Sequence, residues 1–431
     1  MVQAGSPGGA YVKILVICST LDLKYKLGCT PSWWQLLKAM HEIGNEVIAV
    51  PYLGDPVDSP WWRTYPNPCS EESKLYNRFL DRKKRCGKLP DYNEKPNRVL
   101  NLLAEYHVRR RWEKHILEIL SREKDVDAVF IMNVPINHIK GIPTRVREEF
   151  SIPVAYYDGD MPTILPRYAT SRGFKFNYYV DADLSEFDAF FTNSKGVIPD
   201  LEEMGAKNVR PLYYAADPDL FSPVNVEKDI DISFFGYGSE FREEWMTKMI
   251  ADPSMELPDV NFTVGGGGFG ISLGNANLIG DLSYSAFREF CCRSKICLNI
   301  TRWSHTNVYA SATARPFELA AYGACIVSQP YNGIEEWFEV GKDIIVVESE
   351  DEAIETYQWL LASDEERQTF GENARERILR EHTYHNRAEL VTRELGNIKN
   401  LPAKPSINTA DDVSIYRNRK QRACEPDGVK Q

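Results

Sequence analysis

Short apolar runs, each bounded by polar or glycine-containing turns, alternate along the chain with segments in which apolar residues recur every three or four positions. Tyr11 to Ser19 and Glu46 to Pro51 are apolar runs typical of buried strands, and Pro31 to Ile43 between them has helical spacing. This order predicts a right-handed βαβ unit. Further buried strands are predicted at 127–132, 152–157, 189–193, 230–235, 260–264, 295–301, 324–327 and 344–347. The pattern therefore predicts an α/β protein with doubly wound, Rossmann-like parallel sheets.

The alternation of strands and helices stops at Pro223 to Lys228 and starts again at Ile230. A chain of 431 residues also exceeds the size of one ordinary hydrophobic core. We therefore expect two Rossmann-like domains, one at 11–224 and one at 225–385. The Gly-rich residues 1–10 are expected to be disordered, and the polar residues 401–431 to form a loose tail.

Composition narrows the classes of function. The net charge of -11 argues against nucleic acid as a partner. The nine cysteines show no C-x-x-C spacing, which fits reduced thiols in the cytoplasm, and no run reaches the ~18 apolar residues of a membrane span. His382 and His385 are accompanied by no further ligand types at metal-binding spacing, so we expect no metal site.

The stretch from Thr313 to Ser328 carries the clearest chemistry. Pro316 is expected at the first helical position, which places Glu318 at the third, and Gly323 is expected to end the helix in the left-handed conformation. Backbone N–H groups at Arg315 to Phe317, together with the Arg315 side chain, then form a site for a diphosphate. Glu318 would lie about where an attached ribose lies. The alternative is that Glu318 only caps the helix.

A second glycine-containing loop, from Gly236 to Arg242, leads into a helix. Gly238 and Arg242 are therefore candidates to bind the distal phosphate. Gly265 to Gly268 predict a mobile turn rather than a Walker loop, because no G-K-[ST] follows them. Gly28 follows the first strand, where a plain turn is at least as good an interpretation as a phosphate loop.

From Asp231 to about Leu395 the chain resembles the C-terminal half of group-1 GT-B glycosyltransferases, and most closely the branch named after the spore-maturation protein CgeB. The segments that carry the resemblance are Arg315-Pro-Phe-Glu318 with Gly323-Ala-Cys-Ile-Val, Gly333-Ile-Glu-Glu-Trp-Phe-Glu-Val-Gly341-Lys, and Gly371-Glu-Asn-Ala-Arg-Glu-Arg377. The N-terminal half agrees only in its rhythm of strands.

The resemblance implies a GT-B fold with a cleft between its two domains and a crossover helix, here at 386–400, that returns to the first domain. It implies transfer of a sugar from a UDP- or GDP-linked donor to an acceptor, with no metal and no cofactor besides this co-substrate. It gives Glu318 the donor ribose, and it places Gly280 and Asp281 in the segment whose backbone meets the base. Many retaining members carry a second Glu eight positions before the ribose Glu, but this chain has Ala310 there, which leaves the stereochemistry open.

Asp158-Gly-Asp160 follows a predicted strand and has two interpretations. The pair would hold metal and diphosphate in a manganese-dependent GT-A transferase. In the GT-B interpretation, which we prefer, the two carboxylates lie on the N-domain side of the cleft as acceptor contacts or as a base.

The sequence also allows more than one binding partner for the N-terminal domain. The basic run Arg82-Lys-Lys-Arg85 predicts a solvated loop, with an acceptor or a membrane surface as the alternative contact. Two other functions fit the same resemblance: a sugar-nucleotide 2-epimerase, and a non-catalytic module that binds nucleotide sugars or glycans. The sequence names neither acceptor nor sugar.

Overall fold

In the computed structural model, two parallel sheets are flanked by helices. The structure describes residues 12–22, 31–75, 78, 102–165, 167–168, 179, 182–238 and 241–399. Gly28, the basic run 82–85, residues 1–10 and the tail 401–431 lie outside the described residues. All described residues belong to a single compact unit that ends at Lys399.

The first sheet has seven strands in the order β3-β2-β1-β4-β5-β6-β7, and each pair of neighbours is parallel. Its elements are, in chain order, β1 (Lys13–Thr20), α1 (Ser32–Glu42), β2 (Glu46–Leu53), β3 (Arg63–Thr64), α2 (Arg109–Arg122), β4 (Ala128–Met132), α3 (Ile142–Phe150), β5 (Val154–Asp158), β6 (Ala189–Thr192), α4 (Ile198–Glu203) and β7 (Val209–Pro211). This arrangement confirms the predicted doubly wound topology.

The second sheet has six parallel strands in the order β10-β9-β8-β11-β12-β13. Its elements are β8 (Ile230–Tyr237), α5 (Glu243–Met246), α6 (Asp252–Glu256), β9 (Phe262–Gly267), β10 (Asn277–Gly280), α7 (Tyr284–Arg293), β11 (Ser294–Asn299), α8 (Trp303–Asn307), α9 (Ala314–Ala321), β12 (Ile326–Ser328), β13 (Ile345–Val346), α10 (Glu350–Ala362), α11 (Asp364–Glu381) and α12 (Tyr384–Lys399). The last strand of the first sheet ends at Pro211, and the second sheet begins at Ile230.

Both sheets are covered on their two faces, which explains why their strands read as continuous apolar runs. In β1, Leu15 and Ile17 pack into one buried cluster while Ile14 and Val16 pack into the cluster on the opposite face. The second sheet separates its core in the same way. Among the described residues, no helix combines the length and hydropathy needed to cross a membrane.

The crossover helix is present as α12. After Thr383 pairs with Ala216, α12 packs its apolar face against α1, where Val391 and Leu395 share a cluster with Leu37. A buried ion pair also fixes the linker between the sheets to α1, because Nζ of Lys38 in α1 lies 2.8 Å from Asp217 Oδ2 in the linker.

Candidate functional site

The helix that carries Glu318 begins earlier than the sequence predicted. Because α9 starts at Ala314, Pro316 is its third residue and Glu318 its fifth. Pro316 is tolerated there since the first turn of a helix leaves its N–H groups unbonded in any case. The free donors of this turn therefore lie at Ala314 and Arg315, and not at Arg315 to Phe317. Gly323 has φ +71°, which confirms the predicted left-handed stop.

Glu318 pairs with a side chain rather than with the helix terminus. It is buried, and its Oε2 accepts a hydrogen bond from Arg315 Nη1 at 2.8 Å. Burial raises the pKa of the Glu318 carboxyl, and the charge of Arg315 opposes that rise. Glu318 therefore lacks the third-position geometry that the capping interpretation requires.

Arg315 lies against two aromatic rings. Its guanidinium carbon is 4.3 Å from the ring centroid of Phe287 and 5.2 Å from that of Phe235. Both rings lie within cation–π distance of the guanidinium that pairs with Glu318. Phe317 is buried in the core against Trp337, so its side chain does not face a ligand at this site.

Arg242, Arg302 and Arg315 form an arginine cluster at the carboxyl edge of the second sheet. Burial, followed by the positive charges of Arg302 and Arg315, lowers the pKa of Arg242 to about 10. Within the described part of the chain, Arg242 Nε is buried with no hydrogen-bond partner, and no carboxylate lies within 4.0 Å of the guanidinium nitrogens of Arg242 or Arg302. Three like charges with one carboxylate among them, Glu318, make a site that an anion would stabilise.

Arg302 had no role in the sequence interpretation. It is placed here because it follows β11, whose carboxyl end lies beside that of β8. His305, one turn further, is buried, and burial with the charges of Arg302 and Arg242 lowers its imidazole pKa to about 3. His305 is therefore neutral at physiological pH and adds no charge to the arginine cluster.

The sheet edge beside the arginines is made of glycine backbone. Gly236 of β8 pairs with Gly266 of β9, and a Cβ at Gly266 would lie 1.8 Å from the Gly236 oxygen. A Cβ at Gly236 would lie 2.8 Å from Arg242 Nη1. Gly238 extends this edge with φ +68° and donates its N–H to the Gly267 oxygen at 2.9 Å. The predicted mobile turn at Gly265 to Gly268 is wrong, since the strand continues to Gly267 and only glycine permits such close backbones.

Gly280 and Asp281 lie at the end of β10, on the same edge of the sheet but at its outer strand. Gly280 has φ +76°, and the two residues before it, Leu278 and Ile279, are 53% and 41% exposed. Leu278 and Ile279 thus form an exposed apolar surface on β10.

The carboxyl edge of the first sheet carries the acid pair. Asp158 is fully buried at the end of β5 and accepts hydrogen bonds from Tyr179 OH at 2.7 Å and from the Asp160 N–H at 2.9 Å. Asp160 opens toward solvent, and Asn133 Nδ2 donates to its Oδ2 at 2.8 Å. The two carboxylates therefore have different exposure and different partners.

The burial and the partners of Asp158 and Asp160 shift the pKa values of both carboxyl groups. Burial, with the nearby charge of Asp160, raises the pKa of Asp158 to about 7. The pKa of Asp160 is also raised, because neighbouring protein atoms desolvate its carboxylate, although the hydrogen bond from Asn133 and the charge of Arg302 oppose the rise. Of the three arginines in the cluster, Arg302 is the one whose charge acts on Asp160.

One buried amide ties the two edges together. Asn193 Nδ2 donates to the Met161 oxygen at 3.0 Å and to the Ala312 oxygen at 2.9 Å, so it holds both the turn after Asp160 and the loop before α9. Ser194 and Ser311 add an antiparallel bridge with their hydroxyl oxygens 2.5 Å apart. Thr313, at the end of this loop, has a buried hydroxyl.

Ala310 stands at the position where many retaining enzymes carry the second Glu. It is fully buried with φ +46°, and its N–H donates to the Asn332 oxygen at 2.9 Å. The absence of a Cβ at Gly333 makes this contact possible, because that atom would lie 2.3 Å from the Ala310 nitrogen.

Within the described residues, no group of three or more His, Cys, Asp or Glu side chains has the geometry of a metal site.

Comparisons with known proteins bear on the family and the fold. Residues 242–393 match the model of a family described as glycosyl transferase-like. Sucrose-phosphate synthase from Thermosynechococcus elongatus has a TM-score of 0.61 at 14% identity, over 90% of this chain and 99% of that chain. HepE from Anabaena, in complex with UDP and glucose, has a TM-score of 0.57 at 10% identity, over 90% of this chain and 100% of that chain.

An Escherichia coli structure described as trehalose-6-phosphate bound with UDP-2-fluoro glucose has a TM-score of 0.55 at 12% identity, over 91% of this chain and 100% of that chain. Comparison with curated proteins finds no match. At such identities the structural likenesses bear on the fold alone, and that fold is GT-B.

Proposed function

We propose that this protein is a glycosyltransferase that moves a sugar from a nucleotide diphosphate sugar to an acceptor hydroxyl. The observation that carries the proposal is the arginine cluster beside a buried Glu318, at a glycine edge that leaves room for a ligand. A diphosphate would neutralise the arginines, and the Glu318 carboxylate would accept hydrogen bonds from the ribose hydroxyls. The UDP ligands of the similar structures support uridine as the base.

The assignment of each donor group follows from position. Arg242, Arg302 and Arg315, with the N–H groups that open α9, would bind the diphosphate. Gly280 and Asp281, beside the exposed Leu278, would contact the base through backbone and side chain. Gly238 and Thr313 would border the sugar and phosphates from the β8 loop and the loop before α9.

The acid pair supplies the acceptor side. Asp160 opens into the cleft and would take the proton from the acceptor hydroxyl, whereas the buried Asp158 is a positioning residue that acts through the Asp160 N–H and charge. The acceptor oxygen forms a bond to the anomeric carbon while the bond from that carbon to the diphosphate oxygen breaks. The leaving electron pair is stabilised by the arginine cluster.

This reaction is a single displacement that inverts the anomeric carbon, and Ala310 supports it because no carboxylate reaches the sugar from that position. The negative charge that develops on the leaving diphosphate is stabilised by guanidinium groups, so the proposed reaction requires neither metal nor cofactor besides the donor.

The first sheet would form the acceptor domain at 11–224, and the second the donor domain at 225–385. We place the chain nearest the CgeB-like branch, and the free, buried cysteines of the described residues support a cytoplasmic setting.

A thermal-shift screen with UDP, GDP, ADP and their glucose conjugates, followed by product analysis, tests the proposal. A ligand at 100 times its Kd adds ~2.7 kcal/mol of apparent stability, so a true donor raises the melting temperature. Release of nucleotide together with a glycosylated acceptor or free sugar supports the transferase. An epimerised sugar identifies a 2-epimerase, binding without turnover identifies a binding module, and no shift with any nucleotide contradicts the proposal.

A further inference from the structure

A recess of about 960 Å³ opens at the carboxyl edge of the second sheet, on its β12–β13 side. Its walls come from the start of α5, from α8 and from the loop at 329–335. Arg242 lines the recess, whereas Arg315, Glu318 and Gly280 are not part of its wall. The recess therefore adjoins the diphosphate end of the proposed donor site but is separate from the ribose and base positions.

Aromatic surface is exposed in this recess. Trp303 of α8 lines it and is 52% exposed, and Trp245 of α5 contributes a second, half-buried indole. An exposed indole offers a flat apolar face with a hydrogen-bond donor at its edge. Pyranose rings present C–H groups on their faces and hydroxyls at their rims, so they match such a surface.

Amide side chains lie at the base and rim of the recess. Gln329, which follows β12, is 1% exposed, and its Oε1 has no hydrogen-bond partner among the described residues. Asn307 and Asn332 border the same space and are exposed. A buried acceptor without a partner is rare in native proteins and is expected to be satisfied by water or a ligand.

The charge of the recess selects between ligand classes. Glu243, Glu335 and Glu348 line it against a single arginine, Arg242. Glu244 also lines it but is paired with Lys248, whose Nζ lies 2.6 Å from its Oε1. This excess of carboxylates disfavours nucleotides, sugar phosphates and uronic acids. Neutral sugars carry no charge and amino sugars carry a positive charge, so the carboxylates of the recess do not repel either class.

We propose that this recess is a saccharide subsite for neutral or amino sugar units. Trp303 stacks on the ring, while Gln329 and the exposed amides bond the hydroxyls. Its further role, to bind the acceptor glycan beside the reacting end of the donor, rests on the proposed function. The binding itself does not.

Calorimetric titration of the full chain with maltotriose, cellotriose, mannotriose, chitotriose and the glucosamine trimer tests the site. At least one of these should bind saturably, while the galacturonic acid trimer should not. Trp303→Ala should weaken the binding by about tenfold or more, because a central aromatic contact is lost. Trp359→Ala is the matched control, since Trp359 is 45% exposed on α10, outside the recess, and should leave binding unchanged.

Gln329→Leu separates a ligand contact from a structural one. A residue with no protein partner for its carbonyl should tolerate this change without a lower melting temperature, yet saccharide binding should weaken. Saturable binding by none of the five oligosaccharides, or binding that Trp303→Ala leaves intact, overturns the subsite. UDP titrated into the wild-type chain keeps the two proposals apart: UDP binding without saccharide binding rejects only the subsite, and saccharide binding without UDP binding rejects only the donor site.

Discussion

The carboxyl edges of the two sheets have the same backbone architecture but opposite charge. The first ends in Asp158 and Asp160, and the second is bordered by Arg242, Arg302 and Arg315. In both sheets parallel strands leave their carboxyl ends open at a topological switch point, where α/β proteins bind ligands. The difference shows how one fold repeated in a chain separates two tasks: an acidic edge can accept a proton, and a basic edge can hold a diphosphate.

The largest effect is expected at the acidic edge. Asp160→Asn should lower kcat by roughly 10²- to 10⁴-fold, because a positioned general base is lost. Binding of UDP should stay at the wild-type level, since the change lies across the cleft from the arginine cluster. Steady-state kinetics with calorimetry measures both, and Asp200→Asn, on α4 of the same half, is the control that should keep full activity. Wild-type turnover by Asp160→Asn would remove the acid pair from the mechanism.

At the basic edge, Arg242→Gln should weaken UDP binding by roughly 10- to 150-fold, the equivalent of one charge-assisted hydrogen bond. The melting temperature without ligand should not fall, because the change removes a half-buried charge that has no carboxylate partner among the described residues and is repelled by Arg302 and Arg315. Arg288→Gln is the control, since Arg288 bonds Ser222 outside the cluster. An unchanged dissociation constant in Arg242→Gln would mean that the arginines serve another ligand.

The pH dependence of kcat/KM tests the role of the acidic edge separately from that of the basic edge. Since burial raises the pKa of Asp158 to about 7, kcat/KM should rise with pH through this region and then level off. The macroscopic midpoint belongs to the Asp158–Asp160 pair. In Asp158→Asn the midpoint should move to lower pH, because Asp160 then ionises without a neighbouring negative charge. A midpoint that stays in place would show that another group controls the profile.

The raised pKa of Asp158 also predicts how the stability of the folded protein depends on pH. The pKa of Asp158 is higher in the folded protein than in the unfolded chain, so its contribution favours folding at low pH and is lost as pH rises toward 7. Melting curves of wild type and Asp158→Asn between pH 4 and pH 8 measure the difference. The variant should gain stability relative to wild type as pH rises, and a constant difference would contradict the raised pKa.

The smallest effect is expected from chelation. EDTA should leave nucleotide release unchanged, because guanidinium groups rather than a metal are proposed to stabilise the diphosphate. Loss of activity that manganese restores would favour the alternative in which Asp158 and Asp160 hold a metal.

Much of the fold could be predicted from the sequence, because buried parallel strands are continuous apolar runs and Gly323 marks a helix end. The start of α9 could not, since Pro316 suits the first helical position but Ala314 and Arg315 are also good helix formers. The strand at Gly265 to Gly267 has no apolar signal and exists because Gly236 lies against it.

Within the site, Glu318 and Arg315 could be found from one local motif. Arg302 and Asn193 could not, because each sits alone in its own segment and becomes part of the site only through tertiary packing. The different hydrogen-bond partners of Asp158 and Asp160, which are Tyr179 and Asn133, also come from distant segments and could not be predicted.

The most direct test of the donor site compares UDP with pyrophosphate in wild type and Glu318→Gln by calorimetry, alongside melting curves. Both ligands carry the diphosphate, but only UDP carries the ribose. We expect UDP to bind roughly 10- to 150-fold more weakly to Glu318→Gln, because charge-assisted bonds to the ribose are lost. Pyrophosphate should bind at least as tightly as to wild type, because Arg315 is released from its partner. Equal UDP affinity with a lower melting temperature would make Glu318 a structural partner of Arg315 and contradict the proposed donor site.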